Sequence, residues 1–251
     1  MRTFATILLI SALAALGCPG AGIDGPDDPI KLHPVRIVVL VDKTGSVKQN
    51  GIDQPVPEDL VTLVELVGVA GGELAVGRIT DSSDKPLWRF AVETPPVEPI
   101  RPAQDGNPFQ VDVEMAEYAQ VMAGYREKLQ SWTDGYASKE ESFMQSMRSF
   151  LEGPADAQRT DLWRAVGRGS RFLSEPLVGA ETPPLLFLVL VTDGQDNVRS
   201  KPVQLGVPAR VAVVHGALEI GDLAQLQPQS FESFDAAVRW IVSVTRSGET
   251  L

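Results

Sequence analysis

The sequence predicts an α/β protein: an open, mostly parallel, doubly wound sheet flanked by helices. Two observations carry that expectation. The segments Arg36–Val41 and Leu185–Val191 hold continuous rather than alternating apolar runs, the pattern of strands buried on both faces. Between and after them, apolar residues recur at every third or fourth position, the helical period. Strands that alternate with helices fold into a parallel sheet with right-handed crossovers.

The chain opens on Arg2 and an uncharged, mostly apolar stretch from Thr3 to Leu16. That stretch is short of the roughly 20 apolar residues a spanning helix needs. Small residues follow it, and residues 1–17 read as an export signal. Gly17-Cys18 at the cut, with Ala14-Ala15-Leu16 before it, resembles the bacterial lipoprotein lipobox. The resemblance implies that Cys18 becomes the lipidated first residue of the mature chain, a membrane-anchored lipoprotein of the bacterial cell envelope. The plainer alternative is a cleaved signal and a soluble periplasmic or secreted protein. Cys18 is the one cysteine of the 251 residues, so no intramolecular disulfide forms and the fold relies on its core. Residues 18–34 contain Pro19, Gly20, Gly22, Gly25, Pro26 and Pro29, a composition that builds no packed element and reads as a tether. The net charge of -11 would repel a phosphate backbone, so nucleic acid is excluded as a partner.

Residues 35–251 form one domain. Shorter strands are expected at Glu73–Ile79, Leu87–Val92 and Ala209–His215. Helices are expected around Leu60, Leu63, Val64 and Val67 (with Pro57 and Glu58 at the start), around Leu162, Val166 and Leu173, and around Phe234, Ala237, Val238 and Ile241. A further stripe of Met115, Tyr118, Met122, Tyr125, Leu129 and Trp132, continued by Phe143, Met147 and Phe150, is read as core. Pro95, Pro96, Pro99, Pro102 and Pro108 mark an elaborated loop. Together these make an insertion over about 94–153 within the single domain.

Both strong strands run into an aspartate, Asp42 directly and Asp193 after Thr192. Parallel strands bring such residues to the same C-terminal edge, where open α/β sheets place ligands. Two neighbouring carboxylates are costly unless a positive charge sits between them. The first loop, Asp42-Lys43-Thr44-Gly45-Ser46, alternates an acid with hydroxyls, with Gly45 expected to permit a tight bend. Hydroxyl and carboxylate oxygens suit a hard cation. Mg2+ is the first choice, with Mn2+ and Ca2+ as alternatives. His33 and His215 lie far apart, which argues against a zinc site.

These motifs resemble the von Willebrand factor A (vWA) domain and its metal-ion-dependent adhesion site (MIDAS). The pattern of that family is Asp-x-Ser-x-Ser after the first strand, a Thr in a later loop, and an Asp in a Thr-Asp-Gly turn. Here Asp42, Thr44 and Ser46 match the first element, with Thr44 keeping the hydroxyl. Thr160, in Arg159-Thr160-Asp161-Leu162, matches the second, although it is also placed to cap the following helix. Asp193, in Thr192-Asp193-Gly194, matches the third. The resemblance implies a Rossmann-like vWA fold in which Thr44 and Ser46 coordinate directly and Asp42 and Asp193 act largely through water. Thr160 would switch between the two modes. An incompletely neutralised ion would then accept a Glu or Asp carboxylate from a protein ligand, which is binding rather than catalysis. Three rivals remain. A haloacid-dehalogenase-type Mg-dependent phosphohydrolase would need a second acid where Thr44 stands. A receiver-type phosphoacceptor would need an acidic pair after the first strand. A metal-free structural surface lipoprotein would use the same hydroxyls only to cap turns.

Overall fold

The structure is a computed structural model and describes residues 32–81, 83, 85–103, 108–155, 157–177, 182–215 and 221–248. The export signal at 1–17, Cys18 and most of the tether lie outside the described residues.

Strand β1 (Val35–Asp42) is followed by a short helix α1 (Gly45–Gln49), helix α2 (Pro57–Ala70) and strands β2 (Gly72–Ile79) and β3 (Trp88–Val92). Helices α3 (Pro108–Leu151) and α4 (Leu162–Ser174) precede β4 (Leu185–Val191) and β5 (Arg210–Val214). A short β6 (Gln229–Phe231) and helix α5 (Phe234–Ser247) complete the chain. The sheet order is β3-β2-β1-β4-β5-β6. Every pairing is parallel except β2 with β3. This is the doubly wound sheet that the two apolar runs predict. It also contains β6, which the sequence hides: its three residues are largely exposed, so it offers no apolar run to read.

Each side chain of β1 is buried because both faces are covered. Val38 and Leu40 face α4 and pack with Leu162, Val166 and Leu188. The opposite face meets α2 and α5, where Phe187 stands edge-on to Trp240 at 5.8 Å. Strands β1 and β4 are neighbours, with Val41 opposite Val191. Order reverses between them, and that switch point is where an open sheet leaves a crevice.

The insertion is organised around one 44-residue helix, α3. Its C-terminal part is core: Tyr136, Phe143, Met147 and Phe150 are buried. Phe90 lies 5.7 Å from both Tyr136 and Phe143, and Trp88 stacks on Phe150 at 4.6 Å. Two contacts fix its level. Trp132 Nε1 donates to Glu93 O at the base of the sheet, and Lys43 Nζ donates to Leu151 O at the top. Trp132 to Leu151 is about 29 Å of helix at ~1.5 Å per residue, close to the length of β1. The preceding turns, Pro108 to Ser131, therefore extend about 36 Å past the N-terminal edge of the sheet.

That extension corrects the sequence reading of the stripe. Met115, Tyr118, Met122, Tyr125, Leu129 and Trp132 are half-buried, not core. They follow a strict three-four repeat, which gives one narrow seam rather than a broad face. The proline-rich segment starts beside this part of the helix. Pro96, Pro99 and Pro102 are half-buried, whereas Val97, Glu98, Ile100 and Arg101 are exposed. Pro95 is half-buried as well, so the segment turns its prolines to one side. Pro96 shares a cavity with Gly124, Lys128 and Trp132 of α3, so the turned side is the helix side. Despite its length, α3 is too polar to cross a membrane, and no helix among the described residues is long and apolar enough to do so.

Candidate metal centre

The five residues singled out in sequence lie on three loops at the C-terminal edge of the sheet. Backbone bonds lace the loops together. Ala157 N donates to Lys43 O at 3.1 Å, and Gly45 N to Ala157 O at 3.2 Å. Asn197 N and Val198 N both donate to Thr160 O, and Thr160 N donates to Asn197 Oδ1 at 2.8 Å. Asn197 thus clips the loop after β4 to the loop before α4.

Asp42 is fully buried at the tip of β1. Its Oδ1 accepts from Thr44 N at 3.0 Å and Thr44 Oγ1 at 2.7 Å, and its Oδ2 from Thr192 Oγ1 at 2.8 Å. The neighbouring Lys43 gives it no charge: Lys43 Nζ turns to Leu151 O and lies 5.5 Å over the Phe150 ring. Burial pushes the Asp42 carboxyl up to about 6 against the pull of those hydrogen bonds, and the Asp193 charge adds to the rise.

The hydroxyls gather on Thr44. Its Oγ1 is 3.1 Å from Ser46 Oγ and 3.4 Å from Thr160 Oγ1. A hydroxyl has one proton, and that of Thr44 goes to Asp42. Ser46 and Thr160 therefore donate toward Thr44, whose oxygen is the shared acceptor of the cluster. Both oxygens of Asp193 are engaged, Oδ1 by Gln195 N at 3.1 Å and Oδ2 by Asn50 Nδ2 at 3.0 Å. Gly194 makes the turn with φ +77°.

A Mg2+ ion holds six oxygens at about 2.0–2.1 Å, which places neighbouring ligands about 3 Å apart. The spacings from Thr44 to Ser46 and to Thr160 fit two edges of such a shell with small adjustment. Among the described residues no group of three His, Cys, Asp or Glu gathers, so the donor set is one of hydroxyls beside carboxylates. That set fits a hard cation and not a thiolate- or imidazole-seeking one.

Two local expectations are corrected. Gly45 has no left-handed backbone and open space where a side chain would stand; it simply starts α1, so the bend does not require it. Thr160 does not cap α4. The cap is Asp161, whose side chain accepts from Arg164 N at 3.3 Å and receives the Ser200 hydroxyl. This leaves the Thr160 hydroxyl free to face Thr44. Thr160→Val is accordingly expected to keep stability within about 1 kcal/mol of wild type, whereas Asp161→Ala costs about 1–2 kcal/mol through the lost cap. Urea titration of both variants checks this, and equal losses would contradict the assignment of the cap.

Thr192, Asn50 and Asn197 were not singled out in sequence. Thr192 was legible as the hydroxyl just before Asp193, facing the tip of the neighbouring strand. Asn50 and Asn197 act through contacts that only the folded loops create.

Compared with known protein families and with curated proteins, the chain matches none. Among solved structures it is similar to proximal thread matrix protein 1 from the mussel byssus. The identity is 13% over 86% of this chain and 47% of that one, with a TM-score of 0.43. A second crystal form of the same mussel protein gives 13% identity over 86% and 48%, with a TM-score of 0.43. A form of it described with a zinc-occupied MIDAS motif gives 14% over 85% and 47%, with a TM-score of 0.42. The chain spans about half the length of the solved structures it matches.

Proposed function

We propose that the chain is a divalent-metal-dependent protein-binding module of vWA type, and that it binds rather than catalyses. The observation that carries this reading is the gathering of the Thr44, Ser46 and Thr160 hydroxyls beside Asp42: a cation in the crevice would take up oxygen lone pairs that now accept one another's protons. Thr44, Ser46 and Thr160 would hold the ion, with Asp42 and Asp193 acting on it through water and through the hydroxyls. Mg2+ is the expected occupant, with Mn2+ or Ca2+ able to replace it. When bound, the ion supplies positive charge that the surrounding carboxylates, already engaged by Thr44, Thr192, Gln195 and Asn50, neutralise only in part. A Glu or Asp carboxylate of a protein ligand is the natural group to complete it.

The phosphohydrolase rival fits less well. Its nucleophile would be Asp42, a fully buried carboxylate whose oxygens accept three hydrogen bonds. Its acid/base would be Thr44, which has no suitable proton chemistry near neutral pH.

Export completes the reading. With residues 1–17 as signal and Cys18 lipidated, the tether would enter β1 at the N-terminal edge of the sheet. The candidate centre lies at the opposite edge of the sheet. Calorimetry with Mn2+ and Mg2+ tests the core of the proposal. One ion per chain is expected, displaced by chelator, and failure of either ion to bind at millimolar concentration would end it.

A further inference from the structure

Beside the candidate centre, α4 presents Arg164, Gly167 and Arg171 on one stripe, three and four residues apart. With Ser200, Lys201 and Val203 they line a cavity of about 460 Å³ floored by the buried Trp163. Its lining holds three cations and no carboxylate, in a chain whose net charge is -11. Arg164 holds Asp161 with Nε at 3.2 Å, but its side chain remains 57% exposed. Arg171 and Lys201 are exposed, and neither forms an ion pair among the described residues. The space is open because position 167 is a glycine: a Cβ there would meet only Val203, at 3.7 Å.

The cavity borders the loop that carries Thr160. Val198, part of its lining, donates its N–H to Thr160 O at 3.3 Å. From there the groove descends along α4, and Arg164 to Arg171 covers about 10 Å at ~1.5 Å per residue. An extended peptide covers that distance in about three residues.

We propose that this groove extends the metal site and takes the flank of an acidic peptide. One carboxylate of the partner would meet the ion, and carboxylates about three residues further along would pair with Arg164, Arg171 and Lys201. The inference rests on the metal-dependent reading above for the first carboxylate, but the groove has its own charges and its own test. Asp161 offsets Arg164, but Arg171 and Lys201 repel one another with no anion paired to them among the described residues; an acidic ligand relieves that repulsion while the acidic remainder of the surface discourages non-specific anions.

The probe is a fluorescein-labelled peptide with Glu at every third residue and Gly between, beside its Gln counterpart, followed by anisotropy in Mn2+ and in chelator. The protein is compared with the double variant Arg171→Glu/Lys201→Glu. A second double variant, Arg126→Glu/Lys128→Glu on the exposed face of α3, alters net charge equally. The groove variant is expected to lose about tenfold or more in affinity for the Glu peptide, since each reversal replaces an attraction with a repulsion. Its Mn2+ affinity, measured by calorimetry, should stay within twofold, and the α3 variant should bind the peptide within about twofold of wild type. Equal losses in the two variants, or equal binding of the Glu and Gln peptides, would overturn the groove. Peptide binding that persists in chelator yet still depends on Arg171 and Lys201 would uphold the groove and overturn the metal reading instead.

Discussion

Asp42→Asn is expected to abolish divalent-cation uptake and, in metal-free protein at pH 7, to raise the melting temperature. The two effects share one cause. Asp42 is fully buried with hydroxyl and amide partners but no cation beside it, and burial lifts its carboxyl to about 6. A folded-state value above the unfolded one means the native chain holds its proton more tightly. Its contribution to stability is therefore full below the ordinary aspartate range and is lost as pH rises through about 6. At pH 7 the group is ionised, at a cost on the order of 2–3 kcal/mol. Asparagine keeps an acceptor for Thr44 and carries no charge, so that cost disappears. In a domain of this size each kcal/mol moves the melting temperature by about 2–4 °C. Saturating Mn2+ should stabilise wild type and leave the variant unchanged. Melting curves from pH 4.5 to 7.5, with and without Mn2+, check both halves. A variant that still binds Mn2+, or one that melts several degrees lower than wild type at pH 7 without metal, contradicts the site.

A stabilising substitution at the same residue that removes uptake is the mark of a site held under electrostatic stress for a purpose. Thr44 shows how that stress is used. A lone hydroxyl in a loop points its proton wherever a partner lies. Here Asp42 takes the proton of Thr44, so the Thr44 oxygen accepts from Ser46 and Thr160, and those are the lone pairs an ion would claim. Asn50 engages Asp193 in turn, donating to its Oδ2. The carboxylates are preoccupied by the protein, and this is why an ion held by the hydroxyls would keep much of its charge for an outside ligand.

The sheet was legible because its central strands are buried on both faces, so Ile37–Val41 and Leu185–Val191 carry no polar position to break the run. The strand-tip acids were legible for the same reason: a charge that directly follows such a run can only be at an edge. The edge strand β6 was not, since three exposed residues pair through their backbone alone. The extension of α3 was misread as core because an apolar seam has the same spacing whether it meets a sheet or a proline-rich ribbon. Asp161 was overlooked as the cap because Thr160, one residue earlier, satisfied the same expectation. The glycines were judged by the wrong neighbour. Gly45 drew attention for its place in the motif, whereas the backbone demand lies at Gly71 and Gly72.

That demand sets the largest expected loss of stability. Helix α2 ends at Ala70 and β2 begins at Gly72, so one residue reverses the chain. Gly71 has φ +75° and closes the helix through its N–H to Val67 O at 2.9 Å; Gly72 follows at φ +125°. A Cβ at Gly72 would stand 2.0 Å from Val35 O. That carbonyl belongs to the first residue of β1, paired opposite Gly72 in the register that carries Asp42 to its place beside Ile79. No side chain can yield there, because the obstacle is backbone, and the left-handed φ adds its own strain. Gly72→Ala is expected to cost more than about 4 kcal/mol, near the limit of what a domain survives. Gly45→Ala, in open space and an ordinary backbone conformation, is expected to stay within about 0.5 kcal/mol of wild type. Urea titrations of the two variants side by side provide the measurement. Should Gly72→Ala unfold at the wild-type midpoint, the one-residue connection between α2 and β2 is wrongly described, and the register of β1 against β2 must be redrawn with it.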